Sequence, residues 1–152
     1  MTDQPEYWFY HLEASPLEAV LPDLLGKTLQ KGWRALVRFK DGEDLSAWDE
    51  YLWTYKQDSF LPHGRDDQPR ADQQPILLAN RVADGGEFDA LFVIDGAELG
   101  DVSTMSRVMI MIDGRRDDAV QHERKRWASL KSTGATMSYW QQDERGRWAK
   151  KS

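Results

Sequence analysis

The sequence predicts a single three-layer α/β domain with a mostly parallel, mixed sheet. Three apolar segments of strand length, at 76–79, 90–94 and 108–112, carry this prediction, together with the helical patterns that alternate with strands. Strands that are apolar at every position are usually covered on both faces, as in parallel sheets. We expect one domain over residues 1–152, with its core at 6–148, because this length suffices for one sizeable core.

The first half of the chain begins with a strand and a helix. Residues 7–10 (YWFY) are typical of a buried first strand. Ser15 as N-cap, Pro16 at the first helical position and Glu18 predict a capping box for the next helix. Leucines and a valine then recur at helical spacing, and Pro22 predicts either a kink or a later start of the regular helix.

A second strand and helix follow. Gly32 is expected to end the first helix. Residues 34–39 are predicted as a strand and 43–53 as a helix. A loop rich in Asp, Gln, Pro and Gly is predicted at 58–75, with a mobile tip at 64–74.

The C-terminal quarter predicts a charged helix and one or two strands. The helix covers 115–133 and ends at Gly134. A strand is predicted at 136–141, and residues 146–148 form either a last short edge strand or a tail.

Composition excludes several classes of protein. The chain has no cysteine, so disulfides, thiolate nucleophiles and Cys-ligated zinc are excluded. Its apolar runs are too short to span a membrane, and the polar, acidic residues 1–6 show no secretory signal. We therefore expect a soluble cytoplasmic protein without a membrane partner.

The net charge of −6 conceals an asymmetry. Residues 1–114 carry 10 Lys and Arg against 21 Asp and Glu, whereas residues 115–152 carry 10 against 5. A basic C-terminal quarter on an acidic body indicates an anionic partner for that quarter. Chance, with a solvated helix face, is the alternative explanation.

Catalytic motifs are scarce in this sequence. Asp95 and Asp113 each follow an apolar strand and precede a glycine, which suits either Mg²⁺ ligands or ordinary turns. The three histidines lack metal-ligand spacing, and there is no complete phosphate loop, dinucleotide motif or serine-nucleophile elbow. The sequence thus favours a non-enzyme without metal or cofactor, with a Mg²⁺-dependent enzyme on the two aspartates as a weaker alternative.

Two aromatic contexts suit partner binding. Trp53 and Phe60 lie where the second helix meets the polar loop, and large apolar side chains beside a loop can anchor a protein partner. Closing one end of the core is the alternative role for both side chains.

The second context is a stripe on the C-terminal helix. Val120, Arg124, Trp127 and Lys131 follow one another at spacings of four, three and four, so they share one helix face. A guanidinium beside an indole suits a ligand with a carboxylate and an apolar end. Alternatively, Trp127 faces the sheet and the cations are simply solvated.

Taken together, these segments resemble the chi subunit of bacterial DNA polymerase III. The resemblance covers about residues 7–148 and is carried by 9–12 (FYHL), 52–63 (LWTYKQDSFLPH), 124–127 (RKRW) and 139–143 (YWQQD). The segment LWTYKQDSFLPH is the most specific, because nothing about folding demands that string. The tail that begins at YWQQD resembles the form found in alphaproteobacteria.

The resemblance implies a non-catalytic accessory subunit of the clamp-loader assembly, with a Rossmann-like fold that binds no nucleotide. It implies binding to the acidic, Phe-terminated tail of single-stranded-DNA-binding protein, so that DNA is reached only through that partner. It also implies a second partner, the psi subunit or a repair helicase, at a surface that includes Trp53 and Phe60.

The resemblance assigns the tail-binding arginine to Arg124 and its neighbouring aromatic residue to Trp127. Family members often carry Lys directly after the aromatic residue, where this chain has Ala128. Lys131, one helical turn further on, is the nearest substitute for that charge.

Direct binding of single-stranded nucleic acid is the alternative function. Aromatic and basic side chains of the C-terminal quarter can form a stacking and phosphate-binding surface. The candidates are Trp127, Tyr139, Trp140, Trp148, Arg145 and Arg147. The overall acidity of the chain counts against this alternative.

Overall fold

A computed structural model describes residues 5–54, 61–67, 71–80, 88–100 and 102–151. Within these residues lies one eight-stranded sheet, whose strands are β1 (Glu6–Leu12), β2 (Ala35–Arg38), β3 (His63–Arg65), β4 (Ile76–Ala79), β5 (Ala90–Val93), β6 (Arg107–Asp113), β7 (Met137–Gln142) and β8 (Trp148–Lys150). The helices are α1 (Leu17–Gln30), α2 (Gly42–Thr54) and α3 (Asp117–Ser132), and a short 3-10 turn covers Ala71–Gln73. None of the described helices is both long and apolar enough to cross a membrane.

The sheet confirms the predicted fold class. Its strand order is β3-β4-β2-β5-β6-β1-β7-β8, and all neighbouring pairs are parallel except β7 with β8. The sequence left residues 146–148 as either a short edge strand or a tail. In the structure, Trp148 belongs to the antiparallel edge strand β8. Both edge strands, β3 and β8, have three residues.

Helices cover both faces of this sheet. On one face α1 and α2 pack over an apolar cluster that includes Leu21, Leu25 and Trp48. On the other face α3 packs over a second cluster, which includes Phe9 and Ile110. Strands β2, β4 and β5 are buried along their whole length, as their continuous apolar sequences predict.

The start of α1 differs from the predicted capping box. Pro16 is the N-cap, in an extended conformation with φ −74° and ψ 160°, and no side chain hydrogen-bonds to the cap. Ser15 therefore lies one residue too early for its hydroxyl to serve as the cap acceptor, because the N-cap side chain must reach the second or third helical amide. The capping-box prediction is wrong.

Pro22 lies inside α1 rather than at its start. A proline has no N–H to donate to the carbonyl oxygen four residues earlier, which here belongs to Glu18. The hydroxyl of Tyr51 in α2 donates a hydrogen bond to that oxygen at 2.8 Å. A contact between two helices thus satisfies the acceptor that the proline leaves open.

The predicted loop at 58–75 contains regular structure. β3 pairs with β4, and Gly64, the first residue of the predicted mobile tip, is buried within it. The loop prediction is wrong at β3, because a three-residue strand fixed by a distant partner leaves no local pattern. Residues 58–60 and 68–70 lie outside the described residues, and the mobility of the tip stays a prediction.

Candidate functional site

A pocket of about 260 Å³ opens between α3 and the carboxyl halves of β1 and β7. We call it the α3 pocket. Its lining residues are His11, Arg124, Trp127, Tyr139 and Gln141. Two of them, Arg124 and Trp127, belong to the four-residue helix stripe.

The pairing of β1 with β7 determines which side chains form the floor of the α3 pocket. Phe9 pairs with Tyr139 and His11 with Gln141, and these alternate positions all face α3. The ring of Phe9 stacks with that of Tyr139, with centroids 6.2 Å apart and planes 11° apart. Trp127 meets both rings edge-on, at 5.1 Å from Phe9 and 5.5 Å from Tyr139. Trp127 therefore faces the sheet and at the same time lines the pocket.

Arg124 lies at the rim of the α3 pocket and is exposed. Among the described residues, no hydrogen bond or ion pair engages its guanidinium. A planar guanidinium with all its donors available is suited to hold a carboxylate through two parallel hydrogen bonds. The pocket thus combines a cationic rim with an aromatic wall.

A chain of polar contacts joins His11 to the base of this pocket. His11 Nδ1 and the Tyr139 hydroxyl oxygen are 2.7 Å apart, and His11 Nε2 is 3.5 Å from Glu13 Oε1. Gln141 Nε2 donates to the same Glu13 oxygen at 2.7 Å. With the Nε2 proton facing the carboxylate, Nδ1 accepts the hydrogen bond from the Tyr139 hydroxyl.

Burial lowers the pKa of His11; Glu13 raises it and Arg124 lowers it. Burial raises the pKa of Tyr139, an effect that Arg124 opposes and Glu13 reinforces. Because the folded-state pKa of His11 lies below that of the unfolded chain, its contribution to stability is fully present above about pH 6.5 and is lost as the pH falls. The charge of Arg124 lowers the pKa of both His11 and Tyr139. A ligand that neutralises this charge should therefore raise both pKa values.

His11 is expected to titrate below about pH 6.5 when followed by NMR of its ring protons. The variant Arg124→Ala should raise the pKa of His11, because one of the causes that lower it is removed. Lys131→Ala is the matched control, since Lys131 is not among the causes that shift this pKa. A His11 pKa that is the same in wild type and Arg124→Ala would contradict the described arrangement.

The two other residues of the stripe lie outside the pocket lining. Val120 is buried, with 8% of its surface exposed, and packs in the apolar cluster beneath α3. Lys131 is exposed one turn after Trp127. The shared helix face therefore divides into a core residue, two pocket residues and a peripheral cation.

Residues 5–138 match the family described as DNA polymerase III chi subunit, HolC. The chain belongs to the DNA polymerase III chi subunit family. A relative, the "Probable DNA polymerase III subunit chi" of Rickettsia prowazekii (strain Madrid E), is 19% identical over 115 residues, which are 71% of this chain and 70% of that protein. Chi is a non-catalytic accessory subunit that associates with components of the DNA polymerase III holoenzyme.

The structure describes only one of the two residues predicted for the second partner surface, Trp53. Trp53, at the end of α2, is 55% exposed. Its ring lies over that of His63, with centroids 4.2 Å apart, and His63 is buried against backbone oxygens of Leu61 and Asp49. Phe60 lies outside the described residues. Because the Trp53 indole remains mostly exposed while its ring packs on His63, Trp53 does not close one end of the core.

The rings proposed for direct nucleic-acid binding lie on opposite sides of the sheet. Trp127 and Tyr139 pack in the cluster on the α3 side. Trp140 and Trp148 pack against the cluster on the side of α1 and α2. These four rings therefore do not form one stacking surface in the chi-family fold.

The two aspartates considered for Mg²⁺ are engaged by arginines. Asp95 pairs with Arg116 at 2.7 Å, and Asp113 pairs with Arg115 at 3.3 Å. Among the described residues, no group of three His, Cys, Asp or Glu side chains is arranged to hold a metal ion. The Asp-Gly pairs accordingly act as turns after β5 and β6.

Sequence reasoning missed His11 and Gln141 as pocket residues. They meet only because β1 pairs with β7, at a separation of about 130 residues. The period of two along a strand says that Phe9 and His11, or Tyr139 and Gln141, share a face, but it does not say which strands are neighbours. The family match ends at residue 138, so two lining residues, Tyr139 and Gln141, lie beyond it.

Proposed function

We propose that this chi-family chain is an adaptor that binds the acidic, Phe-terminated C-terminal tail of single-stranded-DNA-binding protein and links that protein to the clamp loader during DNA replication. The observation that carries the proposal is the α3 pocket, in which an exposed, unpaired Arg124 stands beside the aromatic wall of Trp127 and Tyr139. A C-terminal phenylalanine offers the matching pair of groups, a carboxylate and an aromatic ring.

The proposed binding has two local steps. The guanidinium of Arg124 donates to the terminal carboxylate of the tail, a charge-assisted contact. The terminal ring enters the pocket and packs on Trp127, which Phe9 supports from below. Both contacts are made by α3, which packs on the sheet through Trp127 and Phe9, so little ordering is required of this chain on binding.

Acidic residues of the tail are steered by exposed cations of α3. Arg124, Lys125 and Lys131 are all exposed on this helix. The body of the protein is acidic and would repel the phosphate backbone of DNA. The charge pattern therefore supports an acidic peptide as the direct partner and DNA as an indirect one.

The surface around Trp53 is proposed for the second partner, the psi subunit of the clamp loader or a repair helicase. An exposed indole fixed by a buried ring beneath it is a suitable anchor for a protein interface. Phe60, in the neighbouring segment, is proposed to contribute to the same surface.

The variant Arg124→Ala is expected to bind a tail peptide about tenfold to a hundredfold more weakly than wild type, since hydrogen bonds to charged groups contribute about 1.5–3 kcal/mol. Isothermal titration with a synthetic acidic peptide ending in Phe measures this loss. Wild-type binding should also weaken with added salt, because the steering of the acidic residues is screened.

Lys125→Ala is the matched control for this titration. It removes one exposed cation from the same helix and changes the net charge equally, but Lys125 does not line the pocket. Its affinity should fall by no more than a few-fold. Equal losses in the two variants would reduce the interaction to general charge attraction, and an unchanged affinity in Arg124→Ala would remove the α3 pocket as the binding site.

A further inference from the structure

Two polar groups of the α3 pocket have no role in the binding steps described so far, the ring of His11 and the hydroxyl of Tyr139. The hydroxyl oxygen lies 2.7 Å from His11 Nδ1. On the other side of the ring, Nε2 lies 3.5 Å from Glu13 Oε1, and Gln141 Nε2 donates to that same oxygen at 2.7 Å. The hydroxyl and the ring are thus joined to a carboxylate whose orientation is fixed by Gln141.

The protonation state of His11 decides where the Tyr139 hydroxyl can donate. A neutral imidazole has one N–H donor and one acceptor nitrogen. With the N–H at Nε2 facing Glu13, Nδ1 accepts the proton of the Tyr139 hydroxyl. The hydroxyl then presents only lone pairs to the pocket, and these repel an anion. In this state Tyr139 does not assist the binding of a carboxylate.

A second proton on His11 reverses the hydrogen bond to Tyr139. In the imidazolium form both ring nitrogens are donors, so Nδ1 donates to the Tyr139 oxygen and Nε2 faces Glu13. The Tyr139 hydroxyl is then free to donate into the pocket. Moving the single proton of the neutral ring to Nδ1 would also free the hydroxyl, but it would set the Nε2 lone pair against the Glu13 carboxylate. The doubly protonated ring is therefore the form that suits a bound anion.

Two charged groups act on His11, Glu13 from the end of β1 and Arg124 from α3, and the titratable residue that faces it from β7 is Tyr139 itself. Burial lowers the pKa of His11, Glu13 raises it and Arg124 lowers it. A carboxylate bound to Arg124 compensates one of the causes that lower this pKa, while Glu13 remains in place. Binding of the anion and uptake of the proton therefore favour each other.

The turn after β6 also packs against His11. Gly114 lies so close that a Cβ at this position would overlap Nε2 and Cδ2 of the ring. The residues on either side of this glycine, Asp113 and Arg115, are paired with each other at 3.3 Å, and neither is among the causes that shift the pKa of His11. This turn thus adds no net charge beside His11.

We propose that the Tyr139 hydroxyl is a second donor to the terminal carboxylate of the tail, and that His11 positions this donor by taking up a proton as the tail binds. This inference rests on the proposed function, because it concerns the same pocket and the same ligand. The proton comes from solvent, and no covalent bond of the tail changes. Arg124 and Tyr139 then donate to the carboxylate together, which favours a free C-terminus over a neutral amide.

Isothermal titration of the wild-type chain in buffers of different ionisation enthalpy measures the proton uptake. An acidic peptide that ends in Phe should bind with net uptake near pH 6.5 and about fivefold more tightly at pH 5.5 than at pH 8. The carboxylates of the peptide, with ordinary pKa values of about 3.3–4.3, stay ionised over this range.

The same peptide with a C-terminal amide is the control for general charge. Glu123 also titrates in this range, because burial raises its pKa to about 7, and its protonation makes α3 more positive at low pH. The amide peptide keeps the acidic residues that respond to this change and lacks only the terminal carboxylate. It should bind without the proton uptake assigned to His11.

Variants assign the effect to His11 and Tyr139. Tyr139→Phe keeps the aromatic wall and should bind as wild type does at pH 8, but without most of the gain at pH 5.5. His11→Gln should lose the same gain. If this buried substitution prevents folding, Tyr139→Phe and the proton uptake of wild type decide the matter. His122→Gln is the matched control, because His122 is a histidine of α3 that does not line the pocket, and this variant should keep the gain.

The outcomes separate this inference from the proposed function. Peptide binding that depends on Arg124 but is equally tight from pH 8 to pH 5.5, without proton uptake, would overturn the inference and leave the proposed function standing. An undiminished gain in Tyr139→Phe, or equal proton uptake with the amide peptide, would also overturn it. A wild-type chain that binds the peptide at no pH would overturn both.

Discussion

Replacing Phe9 with alanine is expected to lower the free energy of unfolding by about 3–5 kcal/mol. Phe9 is fully buried at the centre of β1 and touches the rings of Trp127 and Tyr139. Truncation leaves a cavity beneath both rings, and the protein interior collapses only partly around such a cavity. Urea denaturation of wild type and variant measures the difference.

Phe9→Leu is the matched control for this substitution. It keeps an apolar side chain of substantial volume and should cost about 1.5 kcal/mol or less. Because Phe9 supports the wall of the α3 pocket, the alanine variant should also bind the tail peptide more weakly where it is still folded. A loss of stability below about 1 kcal/mol would show that Phe9 does not fill the core as described.

Gly114→Ala is the second substitution with a large expected effect. The N–H of Gly114, just after β6, donates to the carbonyl oxygen of Leu12 at 2.8 Å. A Cβ at this position would overlap both that carbonyl oxygen and the ring of His11. A backbone oxygen cannot rotate away, so we expect a loss of about 3 kcal/mol, the upper part of the range for overpacking.

The ring of His11 should move in Gly114→Ala, and its resonances and pKa should change with it. Gly26→Ala is the matched control, because a Cβ at Gly26 meets only Leu61, at 3.9 Å. Gly26 lies inside α1, where alanine is the better helix former, so this variant should gain about 0.5–1 kcal/mol. Thermal unfolding of the two variants separates these opposite signs, and similar melting temperatures would contradict the predicted overlap at Gly114.

The fold was predictable from the sequence where apolar pattern alone decides it. The four residues of β4 coincide with the apolar segment, β5 is one residue shorter than predicted, and β6 is one residue longer at each end. Because both faces of these strands are buried, each segment is apolar at nearly every position, and this continuous apolar pattern can be read from the sequence alone. The capping box at Ser15 failed because a proline can occupy the N-cap itself, and only the backbone angles distinguish the two positions.

The candidate site was predictable in part. Arg124 and Trp127 share a helix face and were found from their spacing, since a helix fixes the relation of residues three apart. His11 and Gln141 were not found, because their proximity depends on which strands are neighbours in the sheet.

The three-residue length of both edge strands has a consequence for the behaviour of the protein at high concentration. An unprotected sheet edge can pair with a strand from another molecule. This pairing becomes more favourable as the number of free backbone N–H and C=O groups along the edge increases. Strand β3 offers only His63–Arg65, and β8 offers only Trp148–Lys150, which ends in lysine and is followed by Lys151. Either edge strand therefore offers few backbone groups to which a strand of another molecule could pair. We expect little fibre growth by edge-to-edge addition at high protein concentration.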